Sequence, residues 1–360
     1  MTELMNCEPA FSLRCEETPF IPDVDPTSWQ GVHQLRKRRT ELLCDDLNRV
    51  AQSHALGPSD ILLINSLRHW SLEAVLEWLE RTGADRAPTV ILVLHYTPYP
   101  QSSLANPAAE AYKEAFCRIA DSPLASRIVL CTDSERLRTE YQSLHDVPIA
   151  VLPVPHCSEP QFGRRRDNGA LSIVFAGEAR SDKGFHLLPS AIHEILNGSP
   201  KPDIVFNIQA YAPDGNQQPL PWPYPADEEA VRFIPEPLHE KEYEAFLAGA
   251  DLMLIPYLEN PYKTQTSGVY CEAAAFGIPV VVPAGTWMAD QVEKSGAGVL
   301  FTPGDASSLA EACLEALRNY PSLREAATQA ASSWRSFHNA RNFVACLEML
   351  LQSLPNVPQT

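Results

Sequence analysis

The sequence predicts an α/β protein of two doubly wound units, each a parallel sheet with helices on both faces. Three observations carry this reading. Short, almost wholly apolar runs recur along the chain, as strands buried on both sides require. Stretches with apolar residues three and four apart lie between them and read as amphipathic helices. A polar stretch from Val154 to Asn168 interrupts the pattern, which restarts at Leu171. At 360 residues the chain has room for two domains with separate cores.

The opening residues mix prolines and acids without a clean period. A helix is expected from Val32 to His54, with Leu35, Leu42, Leu43, Leu47 and Val50 on its apolar side. Strands follow at Asp60–Asn65, Thr89–Leu94, Arg127–Cys131 and Ile149–Leu152. Helices over Trp70–Arg81, Ala108–Ala120 and Ser134–Leu144 separate them. This alternation is the signature of a parallel sheet with crossover helices.

After the break, strands are expected at Leu171–Phe175, Asp203–Ile208, Val231–Ile234, Asp251–Ile255, Ile278–Val282 and Gly298–Phe301. Helices near Ser307–Asn319, Ser322–Ser336 and Asn339–Ser353 close the chain. The domains are placed at residues 1–160 and 161–337, with 338–360 a helix packing back towards the first domain. Strand C-termini of both units can face a cleft between them, which makes it the expected ligand site.

Composition narrows the function. A formal net charge of −17 argues against a nucleic-acid partner, whose footprint would be basic. Arg36, Lys37, Arg38 and Arg39 form a basic cluster on the first helix. It is either a solvated face or a peripheral contact for anionic lipid headgroups. Arg164, Arg165 and Arg166 fall in the linker. No apolar run reaches the ~20 residues of a membrane span, and Met1–Arg14 lacks the pattern of a secretory signal. Nine scattered cysteines without a Cys-x-x-Cys spacing read as reduced thiols in a cytoplasmic protein. No His/Cys cluster has metal-ligand spacing, which fits a chain without a metal or other cofactor.

Two segments carry chemistry. Ala176-Gly-Glu-Ala-Arg-Ser-Asp-Lys-Gly184 follows a strand and opens a helix with Phe185, Leu188, Ile192 and Ile195 on one face. Gly177 permits the sharp turn. Arg180 and Lys183 then sit on a strand-to-helix loop, where two cations suit a diphosphate. In the second segment Tyr257–Ser267 reads as a loop and Gly268–Phe276 as a short helix. Thr266, Ser267 and Gly268 stand at that helix start, where unpaired N–H groups and the dipole favour phosphate, although Thr266 and Ser267 also serve as plain caps. Glu272 lies one turn in, among Cys271, Ala273, Ala274 and Ala275. An acid in so small-residued a helix needs a partner, and ribose hydroxyls are one.

In this order and spacing the segments resemble the retaining GT-B glycosyltransferases of family 4, known as glycosyltransferase group 1. The resemblance runs from Leu171 to Leu317 and rests on Gly177-x-x-Arg180-x-x-Lys183-Gly184, Ala250-Asp251, Pro256, Ser267-Gly268, Glu272-Ala273, Gly277-x-Pro279-Val280 and Gly296-x-Gly298. It implies two Rossmann-like domains facing each other across a cleft. It implies that Arg180 and Lys183 bind the donor diphosphate and act on the departing group. Ser267, Gly268 and Val269 would hold the distal phosphate, Glu272 the ribose, and Pro235 with Glu236 the base. Such chemistry is metal-independent.

The family's second glutamate, eight residues before Glu272, is replaced by Thr264, which leaves Tyr262, Lys263 or the more distant Glu259 to approach the donor sugar. In the first half, His95 ends a strand as in many members and would touch the sugar or acceptor hydroxyl, although it also reads as a surface-loop histidine; Asn65 and Arg68, after strand Asp60–Asn65, are weaker cleft candidates. The expected glycine-rich loop is missing or reduced to Trp29-Gln30-Gly31. The expected function is transfer of a sugar from a nucleoside diphosphate sugar to a hydroxyl acceptor, a glycan or lipid-linked glycan, with retention. The alternatives are a sugar-nucleotide epimerase or hydrolase, and a catalytically silent subunit that binds a nucleotide-sugar or a partner transferase.

Overall fold

A computed structural model describes residues 29–99, 107–155, 169–200, 202–211, 222 and 230–354, with side chains in the first helix from Lys37. The Arg164–Arg166 cluster, the Met1–Arg14 tract and the Arg36 side chain lie outside these. Contacts divide the chain into one unit that ends at Pro153 and resumes at Ala340, and another from Val154 to Asn339. Sequence reasoning places the breaks at 160/161 and 337/338.

The first unit holds four parallel strands, β1 (Ile61–Ile64), β2 (Thr89–Leu94), β3 (Ile128–Thr132) and β4 (Ile149–Val151), ordered β1-β2-β3-β4. The helices are α1 (Trp29–Ser53), α2 (His69–Thr82), α3 (Pro107–Asp121) and α4 (Glu135–Gln142). Strands laid side by side in chain order, with right-handed crossovers, send their connecting helices to one face. That face buries Val90, Leu92 and Leu94 of β2 against Leu72, Val75, Phe116 and Tyr141. Ile91 and Val93 point the other way, with Cys131 and Leu152, and the last helix of the chain covers them through Phe343, Leu347 and Leu351. Both faces are thus covered, the second by sequence from the far end of the chain. Trp29, Gln30 and Gly31 open α1, which corrects their assignment to a reduced glycine loop.

The second unit is doubly wound. Its elements are β5 (Leu171–Phe175), a 3-10 turn (Phe185–Leu187), α5 (Leu188–Leu196), β6 (Ile204–Gln209), β7 (Val231–Ile234), α6 (Glu240–Ala248) and β8 (Leu252–Leu254). They continue with α7 (Gly268–Phe276), β9 (Val280–Pro283), α8 (Trp287–Ser295), β10 (Gly298–Phe301), α9 (Ala306–Arg318) and α10 (Tyr320–Phe337). The closing α11 (Ala340–Gln352) is the helix that covers the first sheet. The six strands are parallel and ordered β10-β9-β8-β5-β6-β7. Ile173 and Phe175 of β5 pack with α5 and α9, while Val174 and Ala176 face Tyr270, Trp287 and Met288.

Counted from β5, this order runs 3-2-1-4-5-6, the winding of dinucleotide-binding sheets. The direction of winding reverses between β5 and β8, so the helices that follow those strands go to opposite faces of the sheet, which in such sheets leaves a crevice at the strands' C-terminal ends. Among the described residues no helix is long and apolar enough to cross a membrane.

Candidate active site

The crevice is built from the loop after β5 and the loop after β8. Gly177 has φ +117, a conformation open to glycine, and its N–H donates to Gln209 Oε1 at 2.8 Å. Gly184 has φ +69, and a Cβ there would lie 1.7 Å from the Pro256 carbonyl oxygen. The two loops are therefore in backbone contact, and Leu258 N–H donates to Asp182 O at 3.0 Å to close the junction. Within the second loop, Glu259–Tyr262 forms a short helical turn.

Lys183 comes from the first loop and rests on the second. Its Nζ donates to the Tyr257 phenol oxygen at 2.9 Å and sits 4.1 Å from the Tyr257 ring centre and 5.3 Å from that of Tyr262. Burial pushes the amine down to about 8, helped by the Arg180 guanidinium and opposed by Asp182, Glu178 and Glu272. Arg180 is paired with Glu178 at 2.8 Å and Asp182 at 3.0 Å, and it also hydrogen-bonds Tyr262. Those carboxylates hold the guanidinium in place, so an incoming anion must exchange with them.

The helix start lies on the same cluster. Ser267 caps α7 by accepting the Tyr270 N–H at 3.2 Å, and its hydroxyl lies beside the Tyr257 phenol. The Ser267 side chain is thus buried structure. The first-turn amides of Gly268 and Val269, which have no acceptor within a helix, lie at partly exposed positions. A Cβ on Gly177 would meet Val269 at 3.9 Å, which sets the two loops side by side. Glu272 has the partner its helix demands: Tyr243 of α6 donates to its Oε2 at 2.5 Å. Thr266 is half-buried, and Thr264 and Tyr262 are buried. Glu259 is exposed beside Gly285. Pro235 and Glu236 are exposed just past β7, the edge strand, two positions from β5 in the sheet.

In the first unit, the ends of three neighbouring strands meet at His95. Its Nδ1 lies 2.7 Å from Asp133 Oδ2 and its Nε2 2.6 Å from Asn65 Oδ1. The Arg68 guanidinium stacks 4.1 Å above the Tyr96 ring. On α1, Lys37 and Arg38 are exposed, and Arg39 stands 5.7 Å from the Trp70 ring.

Residues 170–319 match the family model of glycosyl transferases group 1. Among solved structures, the chain resembles sucrose-phosphate synthase from Thermosynechococcus elongatus, with TM-score 0.65 and 15% identity over 89% of this chain and 79% of that one. HepE from Anabaena, solved in complex with UDP, gives TM-score 0.64 and 16% identity, covering 87% and 82%. Trehalose-6-phosphate synthase OtsA gives TM-score 0.65 and 15% identity, covering 92% and 79%. The search of curated proteins finds no match. The likeness to these structures shows the fold, GT-B, and the family match covers residues 170–319, less than half of the chain.

Within this GT-B frame the structure brings together Gly177, Arg180, Lys183, Tyr262, Ser267, Gly268, Val269 and Glu272. Sequence reasoning missed the groups that hold them: Tyr257, Tyr243, Glu178, Asp182, Gln209 and, around His95, Asp133. A tyrosine directly after a buried strand reads as core, which Tyr257 also is. The one signal was its place after Pro256 at a strand end facing the crevice.

Proposed function

We propose that the chain moves a sugar from a uridine diphosphate sugar to a hydroxyl acceptor, without a metal. The observation that carries this is the meeting of Lys183 and the start of α7 at the Tyr257 phenol, with the Arg180 guanidinium beside Lys183, at the switch point of the sheet. Two cations and a helix N-terminus supply there the positive field a departing diphosphate needs. HepE has been solved with UDP and with UDP-glucose, and this likeness is the reason for choosing uridine and a hexose.

In the proposed reaction the anomeric C–O bond to the distal phosphate breaks while the acceptor oxygen bonds to the same carbon. The acceptor approaches from the face the phosphate leaves, so its proton passes to the departing phosphate oxygen and the anomeric configuration is retained. Lys183 and the Gly268 and Val269 amides take up the charge left on the phosphate. Arg180 joins them by exchanging Glu178 and Asp182 for a phosphate oxygen. Glu272, fixed by Tyr243, accepts from a ribose hydroxyl, and the uracil lies near Pro235 and Glu236. His95 meets the sugar or the acceptor hydroxyl. The acceptor is proposed to be a glycan or lipid-linked glycan, with Lys37 and Arg38 as a peripheral contact to anionic headgroups at the cytoplasmic face.

Calorimetry with UDP and turnover of UDP-glucose test this reading. Lys183→Ala is expected to keep the fold, to weaken UDP binding, and to cut transfer by a factor on the order of 100 or more. Unchanged turnover in that variant sinks the assignment. The double pairing of Arg180 favours one other outcome, a subunit that binds UDP and transfers nothing. Wild-type binding without turnover of any sugar conjugate would establish that outcome instead.

A further inference from the structure

We propose that Tyr257 is a positioning residue for Lys183, its phenol oxygen fixing the ammonium against the start of α7 and keeping it protonated. The inference rests on the donor-site reading above and deepens it. Tyr257, three residues past β8, is fully buried, with its ring 4.5 Å from that of Tyr262. Its hydroxyl accepts from Lys183 Nζ at 2.9 Å and lies beside the capping hydroxyl of Ser267. A Cβ on Gly177 would stand 4.0 Å from the same oxygen. One atom therefore joins the cation, the cap of α7 and the glycine turn after β5.

The geometry has an electrostatic consequence. A buried ammonium is destabilised relative to the neutral amine. Around Lys183 the charged and titratable groups are Arg180, which opposes its charge, Asp182, Glu178 and Glu272, which favour it, and the two tyrosines beneath it. Tyr257 supplies a neutral acceptor at hydrogen-bond distance and two ring faces turned to the cation, which favour the protonated form. Burial raises both phenols above their ordinary value, so they stay neutral while the amine titrates. Without the phenol oxygen the ammonium keeps the rings and loses its acceptor. It then gives up its proton at lower pH, and the diphosphate meets a neutral amine.

Tyr257→Phe separates this role from packing, because the ring remains. In the full chain, the rate at which acetic anhydride labels Lys183 is measured against pH by mass spectrometry. The wild-type midpoint is expected at about 8, and in Tyr257→Phe about one pH unit lower, the tenfold effect of one charge-assisted hydrogen bond. Tyr262→Phe removes a hydroxyl that Lys183 does not touch and should leave the midpoint in place. Installing 3-fluorotyrosine at 257 keeps the packing, weakens the oxygen as an acceptor, and should move the midpoint down even if Tyr257→Phe fails to fold. A midpoint that stays put in the variants that fold overturns the proposal. The same proteins titrated with UDP extend the test: affinity in Tyr257→Phe should match wild type near pH 6 and fall about fivefold near pH 8. If Lys183→Ala leaves UDP binding unchanged while the labelling midpoints shift as stated, the donor reading fails and the Tyr257–Lys183 coupling stands.

Discussion

Gly184 shows how closely the crevice is fitted. With φ +69 and a hypothetical Cβ 1.7 Å from a backbone oxygen, no side-chain rotation relieves the contact, so Gly184→Ala must push the β5 and β8 loops apart. The left-handed conformation alone costs roughly 1–2 kcal/mol for a residue with a Cβ. We expect a larger total loss in urea unfolding, together with weakened UDP binding, because Lys183 precedes the displaced glycine. Lys183 itself makes stability and donor affinity respond oppositely to pH. Its folded value of about 8 lies below the ordinary 10.5, so between these limits the unfolded chain binds more protons and stability rises with pH. Each pH unit in that window is worth at most about 1.4 kcal/mol. Urea midpoints at pH 8 and 9.5 should show the gain in wild type and lose it in Lys183→Met, while UDP affinity falls over the same range. Arg180, Lys183 and Glu272 were legible because charge on a strand-to-helix loop, or inside a row of alanines, lacks a packing explanation. Tyr257 and Tyr243 were not, because a buried aromatic satisfies core packing whether or not its hydroxyl also binds a charge.

Helix α7 separates a cap's structural work from its place in the site. Ser267 and Thr286 are both buried caps, each accepting the amide three residues on, at 3.2 and 3.3 Å. Either change to alanine should cost about 1 kcal/mol of stability. Ser267→Ala should also weaken UDP binding, since it removes the hydroxyl beside the Tyr257 phenol. Thr286→Ala, at the start of α8, should leave UDP affinity unchanged. Calorimetry on both variants decides whether the α7 cap matters beyond stability. Tyr243→Phe removes the donor held against Glu272 and is expected to raise the UDP dissociation constant several-fold with little change in melting temperature. The expected strands reappear as β1 to β10 within a few residues because most of their runs are apolar on both faces, the edge strand β7 with its exposed Arg232 being an exception. The glycine loop at Trp29-Gln30-Gly31 was misplaced because three residues with one glycine fit a helix start as well as a turn. The helical turn Glu259–Tyr262 was hidden by Pro261, which a sequence reading takes as loop.

Strand order is where local pattern falls silent, since every buried parallel strand looks alike. The alternation of strands and helices implied covered sheets in both units, yet the two units reach that state differently. The second reverses its winding at β5 and β8 and covers both faces from its own connections. The first lays β1 to β4 side by side in chain order, so the face bearing Ile91, Val93, Cys131 and Leu152 depends on α11. Phe343, Leu347 and Leu351 are each nearly fully buried there. At roughly 1.5–3 kcal/mol for each such side chain, α11 contributes about 5–9 kcal/mol, as much as the whole net stability of many domains. A chain ending at Asn339 should therefore leave the first unit with an open apolar sheet face, prone to aggregation and to rapid proteolysis. The second unit keeps both of its cores and should still yield a protease-resistant fragment that binds UDP. Limited proteolysis with calorimetry on the surviving fragment reads both halves of this expectation. A truncated chain whose first unit resists protease as the full chain does would show that the sheet face is covered by something other than α11.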